Sequence, residues 1–207
     1  GKKMGIKSWG DPKNYGLSIT LGAAETTMLD MATIYGVLAN RGVRVDLNPL
    51  FKVTDSKGEV LEEKEAQREN LLLQNDNIIG KRVISEGVAF ILSDILADNN
   101  ARSLEFGTNS PLKINGHRVS VKTGTSDNKR DNWTIGYTDK WVVAAWVGNN
   151  DNSPMSQNLA SGITGAAPIW NRIMTNLLIN TSDNSKPAIP SDVLQKPCIG
   201  RVEYFIK

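Results

Sequence analysis

Between Val119 and Val147 three short runs rich in β-branched and aromatic residues follow one another with links of only a few residues. Val119-Ser120-Val121 leads into Lys122-Thr123-Gly124-Thr125, a polar turn runs from Ser126 to Asp131, and Trp133 to Tyr137 and Trp141 to Val147 complete the set. These runs have the composition of strands. Links this short cannot hold the crossover that parallel neighbours need, so the spacing predicts an antiparallel meander.

Helices precede and follow it. From Glu25 to Arg41 the residues Met28, Met31, Ala32, Tyr35, Leu38 and Ala39 recur every three or four positions, which predicts an amphipathic helix with those residues inward. Thr27 with Asp30 resembles a capping box, and Arg41-Gly42 supplies a last-turn cation and then a residue free to take φ > 0. A second helix is expected over Val83 to Ala97, with Ser85 near its start and Ile84, Val88, Ile91, Leu92, Ile95 and Leu96 on its inner side. A third spans Ala166 to Ile179, with Pro168 in its first turn. Leu50 to Leu61, around the turn Asp55-Ser56-Lys57-Gly58, reads as a short hairpin leaving the main body, and Glu62 to Asn70 as a solvated charged stretch. Helices first and an antiparallel sheet later give an α+β fold, an antiparallel sheet flanked by helices. Residues 1–180 are expected to form the domain proper. Residues 181–207, with Pro187, Pro190 and Pro197, are expected to be a C-terminal tail or the start of a following segment.

Charge and cysteine content exclude several functions. The 24 Lys+Arg and 22 Asp+Glu of the 207 residues are interspersed and net only +2, so no nucleic-acid partner is indicated. No apolar run approaches the roughly 18 residues of a membrane span. The single Cys198 forms no internal disulfide and no cysteine metal cluster, and has only His117 as a partner for thiol catalysis. We read Cys198 as structural or incidental and His117 as a surface loop residue, and expect neither metal nor cofactor. Scarce cysteine suits a reducing compartment or an extracytoplasmic bacterial protein equally. The start, Gly1-Lys2-Lys3-Met4-Gly5, has neither an initiator methionine nor an apolar signal behind it, and reads as a chain cut from something longer.

Chemistry concentrates at Lys122-Thr123-Gly124-Thr125. Alternate strand residues share a face, so Thr123 and Thr125 point the same way and can both hydrogen-bond one carboxylate. Lys122 adds a compact positive charge, and Gly124 removes a Cβ that would obstruct a ligand backbone alongside. An edge strand also leaves main-chain groups free to pair with a peptide-like substrate.

The blocks around this motif resemble the class A penicillin-binding proteins, whose group carries K-T-G as its third motif. The run from Tyr15 to Glu25, continued through Met28 and Met31 to Gly42, looks like that family's approach to, and helix after, its second motif. Val121 to Ser126, Arg130 to Trp133 and Ile135 to Thr138 look like its active-site strand and the next one. Trp146 to Asn152 and Gly165 to Trp170 look like the following strand and final helix. The resemblance covers about Tyr15 to Met174. It implies the C-terminal part of a DD-transpeptidase that acts on the D-Ala-D-Ala end of a peptidoglycan stem peptide through an acyl-serine, and that β-lactam antibiotics acylate. By the same resemblance Lys122 orients substrate and influences the proton relay, Thr123 and Thr125 bind the terminal carboxylate, and the Thr125 N–H is an oxyanion donor. Lys122 and Thr125 are then the catalytic candidates, and Thr123, Gly124 and Thr125 the substrate-binding ones. The setting implied is the extracytoplasmic face of the membrane, reached only through an N-terminal segment absent here.

The family's Ser-x-x-Lys and Ser-x-Asn motifs belong upstream of the helix at Glu25, where Ser8 and Ser18 have neither spacing. Elsewhere, Ser110 to Lys113 and Ser126 to Lys129 spell the first, and Ser126 to Asn128 and Ser182 to Asn184 the second. All are rejected as nucleophile or relay, because the nucleophile's spacing works on a helix, where Ser and Lys lie one turn apart. A Pro-broken loop, a turn and a polar tail do not provide it. Val121, where many relatives have Gly, still suits a strand. A penicillin-sensing or scaffold module that binds without turnover is the alternative reading, as is an unrelated α+β binding domain.

Overall fold

A computed structural model of the chain describes residues 1–47, 50, 52–63, 80–156, 161–181 and 185–207. Phe51, the stretch from 64 onward that was expected to be solvated, and Ser182 to Asn184 lie outside them.

The meander is present: β5 (Ser120–Thr125), β6 (Asp131–Tyr137) and β7 (Val142–Gly148) form one antiparallel sheet in that order. Register pairs Thr123 with Thr134 and Thr125 with Asn132, then Thr134 with Ala145. Alternation therefore puts Val121, Thr123, Thr125, Asn132, Thr134, Val143 and Ala145 on one face. Helix α4 (Ala166–Leu178) lies against that face, burying Ala166, Ala167, Trp170, Met174 and Leu178 with Val121, Val143 and Ala145. Trp170 is 0% exposed and fits over the bare backbone of Gly136, where a Cβ would stand 2.4 Å from its ring.

The opposite face takes α1 (Met28–Ala39) and α2 (Glu86–Ala97), where Leu38 and Ala89 meet Tyr137, with Tyr35 packed beside them. Both helices start at the caps the sequence specified. The Thr27 hydroxyl accepts the Asp30 N–H at 3.1 Å, and the Ser85 hydroxyl accepts the Val88 N–H at 3.2 Å. The Asp30 carboxylate, which also meets the Thr27 side chain, accepts the N–H groups of Lys7 (3.1 Å) and Ser8 (3.0 Å), pinning the N-terminal segment. Burial alone would raise the Asp30 carboxyl, but those hydrogen bonds hold it below its ordinary value. Helix α1 ends at Ala39 with Asn40 as its C-cap; Arg41 lies past the helix at φ +51 rather than in its last turn, and Gly42 takes φ +91 as expected, its N–H reaching the Val37 carbonyl at 2.8 Å.

The inward faces match the expected ones only in part: Tyr35, Leu38, Ala39, Ile84 and Leu96 pack in the core. Helix α1 buries Asp30, Thr33, Val37 and Leu38 and leaves Met28 exposed. Helix α2 buries Gly87, Ala89 and Phe90 and leaves Val88, Leu92 and Ile95 outward. Both are apolar nearly all round, so period alone does not choose the side; the N-terminal segment and the C-terminal chain do.

The hairpin at 50–61 is present as β2 (Lys52–Thr54) and β3 (Val60–Glu63), closed by Asp55 accepting from the Lys57 and Glu59 N–H groups. A short pair, β1 (Val43–Arg44) with β4 (Lys81–Arg82), follows α1. That pair was not anticipated, nor were α3 (Asn99–Phe106), capped by Asp98, and a hairpin of β8 (Val193–Cys198) and β9 (Arg201–Ile206) within the expected tail. That hairpin packs on α2, with Tyr204 edge-on to Phe90 at 5.1 Å between ring centroids. Its Ile199-Gly200 turn has φ > 0 at both residues, the two-residue geometry that matches strand twist.

Candidate active site

β5 is an outer strand whose described ladder partner is β6. The Ser126 N–H donates to the Asp131 carbonyl at 3.0 Å, making 126 and 131 a hydrogen-bonded pair. In an antiparallel ladder such pairs alternate, so 124/133 and 122/135 bond inward while residues 121, 123 and 125 turn their main-chain groups outward. Two contacts agree with this parity. The Val121 carbonyl accepts from the Arg102 guanidinium at 3.3 Å, and the Thr123 carbonyl accepts from the Lys122 ammonium at 2.5 Å. The Thr125 N–H thus faces the open edge.

The side chains meet at the same edge. Lys122 and Thr125 are exposed and Thr123 and Gly124 half-buried. Lys122 has no carboxylate partner among the described residues, and its ammonium folds along the rim onto the Thr123 carbonyl. Among the described residues a Cβ at Gly124 would meet only the Trp133 Cβ, at an ordinary 3.7 Å, so their packing does not demand glycine there. Behind the threonines, the turn that leads into α4 is strapped to the sheet. The Gly162 N–H donates to the Thr125 hydroxyl at 2.9 Å, the Thr134 hydroxyl donates to the Gly162 carbonyl at 3.2 Å, and the Asn132 side-chain oxygen accepts the Ala166 N–H at 2.7 Å. What results is an open rim carrying one cation, two hydroxyls and an outward N–H, an arrangement suited to a carboxylate at the end of an extended chain.

A family model for the penicillin binding protein transpeptidase domain matches residues 2–175. The chain belongs to that family. Among curated relatives, penicillin-binding protein 1A of Clostridium tetani is 31% identical over 92% of this chain and 24% of its own length. That of Rickettsia conorii is 28% identical over 93% of this chain and 24% of its own length. The chain thus spans about a quarter of those relatives. Among solved structures, penicillin-binding protein 1A of Haemophilus influenzae shares the fold, with a TM-score of 0.73 at 24% identity over 99% of this chain and 35% of that one. PonA1 of Mycobacterium tuberculosis, solved in complex with penicillin V, gives a TM-score of 0.67 at 24% identity over 90% of this chain and 50% of that one.

In this transpeptidase-family chain the described serine decoys, Ser110 and Ser126, sit off helices. Ser110 lies in the turn before Ile114, where its carbonyl accepts the Lys113 N–H. Ser126 precedes a short 3-10 turn, and its hydroxyl donates to the Asp131 carboxylate at 2.9 Å. Asp131 also takes the Trp146 indole N–H at 3.0 Å, which fixes the strand's exit. His117 is half-buried in the turn ahead of β5, and Cys198 closes β8. Among the described residues no group of three His, Cys, Asp or Glu side chains gathers as a metal site, and no helix is long and apolar enough to cross a membrane. A cavity of about 210 Å³ lies at the other end of the sheet, against Phe90, Ser93, Ser120 and Tyr137, and none of Lys122 to Thr125 lines it.

Sequence reasoning assigned no role to Gly162, Thr134 or Asn132. A signal was there for two of them: Asn132 and Thr134 alternate with the apolar Trp133 and Ile135, and so share one face of the strand. Polar side chains buried in a sheet require partners.

Proposed function

We propose that this chain is the C-terminal portion of a peptidoglycan DD-transpeptidase, in which Lys122 to Thr125 grip the terminal carboxylate of a D-Ala-D-Ala stem peptide. The observation that carries the reading is the rim itself: Thr123 and Thr125 on one face, the Lys122 ammonium on the outer carbonyl, and the Thr125 N–H turned to the same side. The glycine that packing does not demand fits a ligand chain lying alongside β5, as a β-addition requires. Lys122 supplies the cation that orients the carboxylate and tunes the proton relay. The Thr125 N–H is one of two oxyanion donors, an interaction worth about 3–4 kcal/mol in serine hydrolases. The acylated serine and its relay come from a part of the polypeptide outside this chain, which by itself is inactive. Support comes from the fraction of relatives and solved structures covered, and from the off-helix settings of Ser110 and Ser126.

On this reading the partners are stem peptides, β-lactams and the N-terminal part of the same domain. The protein works on the extracytoplasmic face of the membrane, held by a segment outside this chain. Residues 1–180 belong to the transpeptidase part and 181–207 form an appendage clasping α2; the family match ending at residue 175 supports that division.

The test is acylation by a fluorescent penicillin. The full-length protein should label, Lys122→Ala should slow labelling by at least roughly tenfold, and the 207-residue chain should not label. Unchanged labelling of Lys122→Ala, or a stable adduct on the isolated chain, contradicts the roles assigned.

A further inference from the structure

We infer that Gly162 is a positioning residue for substrate selection, aiming the Thr125 hydroxyl proton out of the fold toward a bound carboxylate. This rests on the preceding reading of the threonine rim and deepens it.

A hydroxyl has one proton to give and two lone pairs to receive with, whereas an ionised carboxylate only accepts. A threonine that already gives its proton to the protein is therefore of no use to that ligand. At Thr125 the protein occupies the accepting side: the Gly162 N–H donates to its oxygen at 2.9 Å. No described residue accepts the Thr125 proton, and the residue is exposed on the outer strand. The proton is left for the open edge, already aimed before a ligand arrives.

Gly162 must itself be held, and the cross-strand neighbours of the two site threonines hold it. Thr134, opposite Thr123, donates to the Gly162 carbonyl; Asn132, opposite Thr125, accepts the Ala166 N–H. Both are 0% exposed, so these bonds are shielded from competing water. Identity matters as well as position. A Cβ on residue 162 would lie 2.7 Å from the Thr123 Cβ and 3.4 Å from its hydroxyl oxygen. The nearest atom is the Thr123 Cβ itself, which no side-chain rotation moves, so the clash is relieved only if the backbone of one segment shifts. One backbone unit therefore sets the direction of the Thr125 hydroxyl and limits the position of Thr123.

The test compares acylation of the full-length protein by benzylpenicillin and by its methyl ester, which keeps the reactive ring and lacks the anion. Gly162→Ala should lose roughly tenfold or more on benzylpenicillin while the ester rate stays within about twofold of the parent, since one hydrogen bond to a charged group is at stake. Thr134→Val, which frees Gly162 without adding bulk, should shift the ratio the same way by roughly threefold, and serves if Gly162→Ala fails to fold. Thr125→Ala is the control on the rim. If it shifts the ratio and the folded variants at 162 and 134 do not, the positioning role is overturned and the rim reading stands. If Thr125→Ala leaves the ratio unchanged, the rim reading falls and this inference with it.

Discussion

The Asp192 carboxylate accepts the Gly87 N–H at 3.2 Å across a sequence separation of 105 residues, capping the first turn of α2 from the C-terminal chain. A carboxylate at a helix N-terminus satisfies an orphan N–H and complements the helix dipole. A Cβ at Gly87 would lie 2.7 Å from that carboxylate, so the two residues are fitted to each other. Nearby, the Lys186 ammonium stands 2.7 Å from Asp94 of α2 and 4.4 Å from the Tyr204 ring centre. Helix α2 in turn meets β5, where the Ser120 hydroxyl donates to the Ser93 carbonyl at 2.8 Å.

Asp192→Ala should therefore cost about 1–2 kcal/mol, the usual scale of a lost helix cap. For a chain of this size that is a fall of roughly 2–8 °C in melting temperature. A thermal melt indistinguishable from the parent's would show that the hairpin's hold on α2 is incidental.

Gly136→Ala tests the packing on the α4 face. The added Cβ lands 2.4 Å from the Trp170 ring, and overpacking of this kind costs about 1–3 kcal/mol. Trp170→Phe removes the ring atoms that collide, so a double-mutant cycle should return a favourable coupling. Strict additivity in urea unfolding would place Trp170 elsewhere.

Alkaline pH should weaken the α1 face. Burial, and secondarily the proximity of Tyr137, push the Tyr35 hydroxyl from 10.0 up to about 12. The unfolded chain then gives up this proton first, so the contribution of Tyr35 is intact below about pH 10 and is lost as pH rises toward about 12. Urea midpoints measured from pH 9 to 11.5 should fall more steeply for the parent than for Tyr35→Phe. Parallel curves would refute the assignment.

What the sequence made legible was local. The Thr27 and Ser85 caps, the Asp55 turn, the Gly42 stop and the three-strand meander each depend on residues close in the chain, and each formed where expected. The inner sides of α1 and α2 were legible only in part: Tyr35, Leu38, Ala39, Ile84 and Leu96 pack as expected, but Asp30 answers to Lys7 and Ser8, and Gly87 to Asp192, partners that no periodicity reveals. The hairpin at 193–206 escaped notice because Pro197 and the Ile199-Gly200 turn carry none of the usual Asn-Gly signal. At the rim, strand alternation placed Thr123 and Thr125 on one face, while the roles proposed for Lys122 to Thr125 came from the family resemblance. Gly162 could not be read from either, because only the folded turn before α4 brings it within 2.9 Å of Thr125.

The central claim is that this rim receives a carboxylate, and the most direct measurement is a crystal structure of the full-length protein acylated by benzylpenicillin. The account predicts the penicillin carboxylate within about 3.2 Å of the Thr123 and Thr125 hydroxyl oxygens, with the Lys122 ammonium close by. It also predicts the acyl carbonyl oxygen facing the Thr125 N–H. An adduct whose carboxylate lies away from both threonines, with β5 left unoccupied, would contradict it.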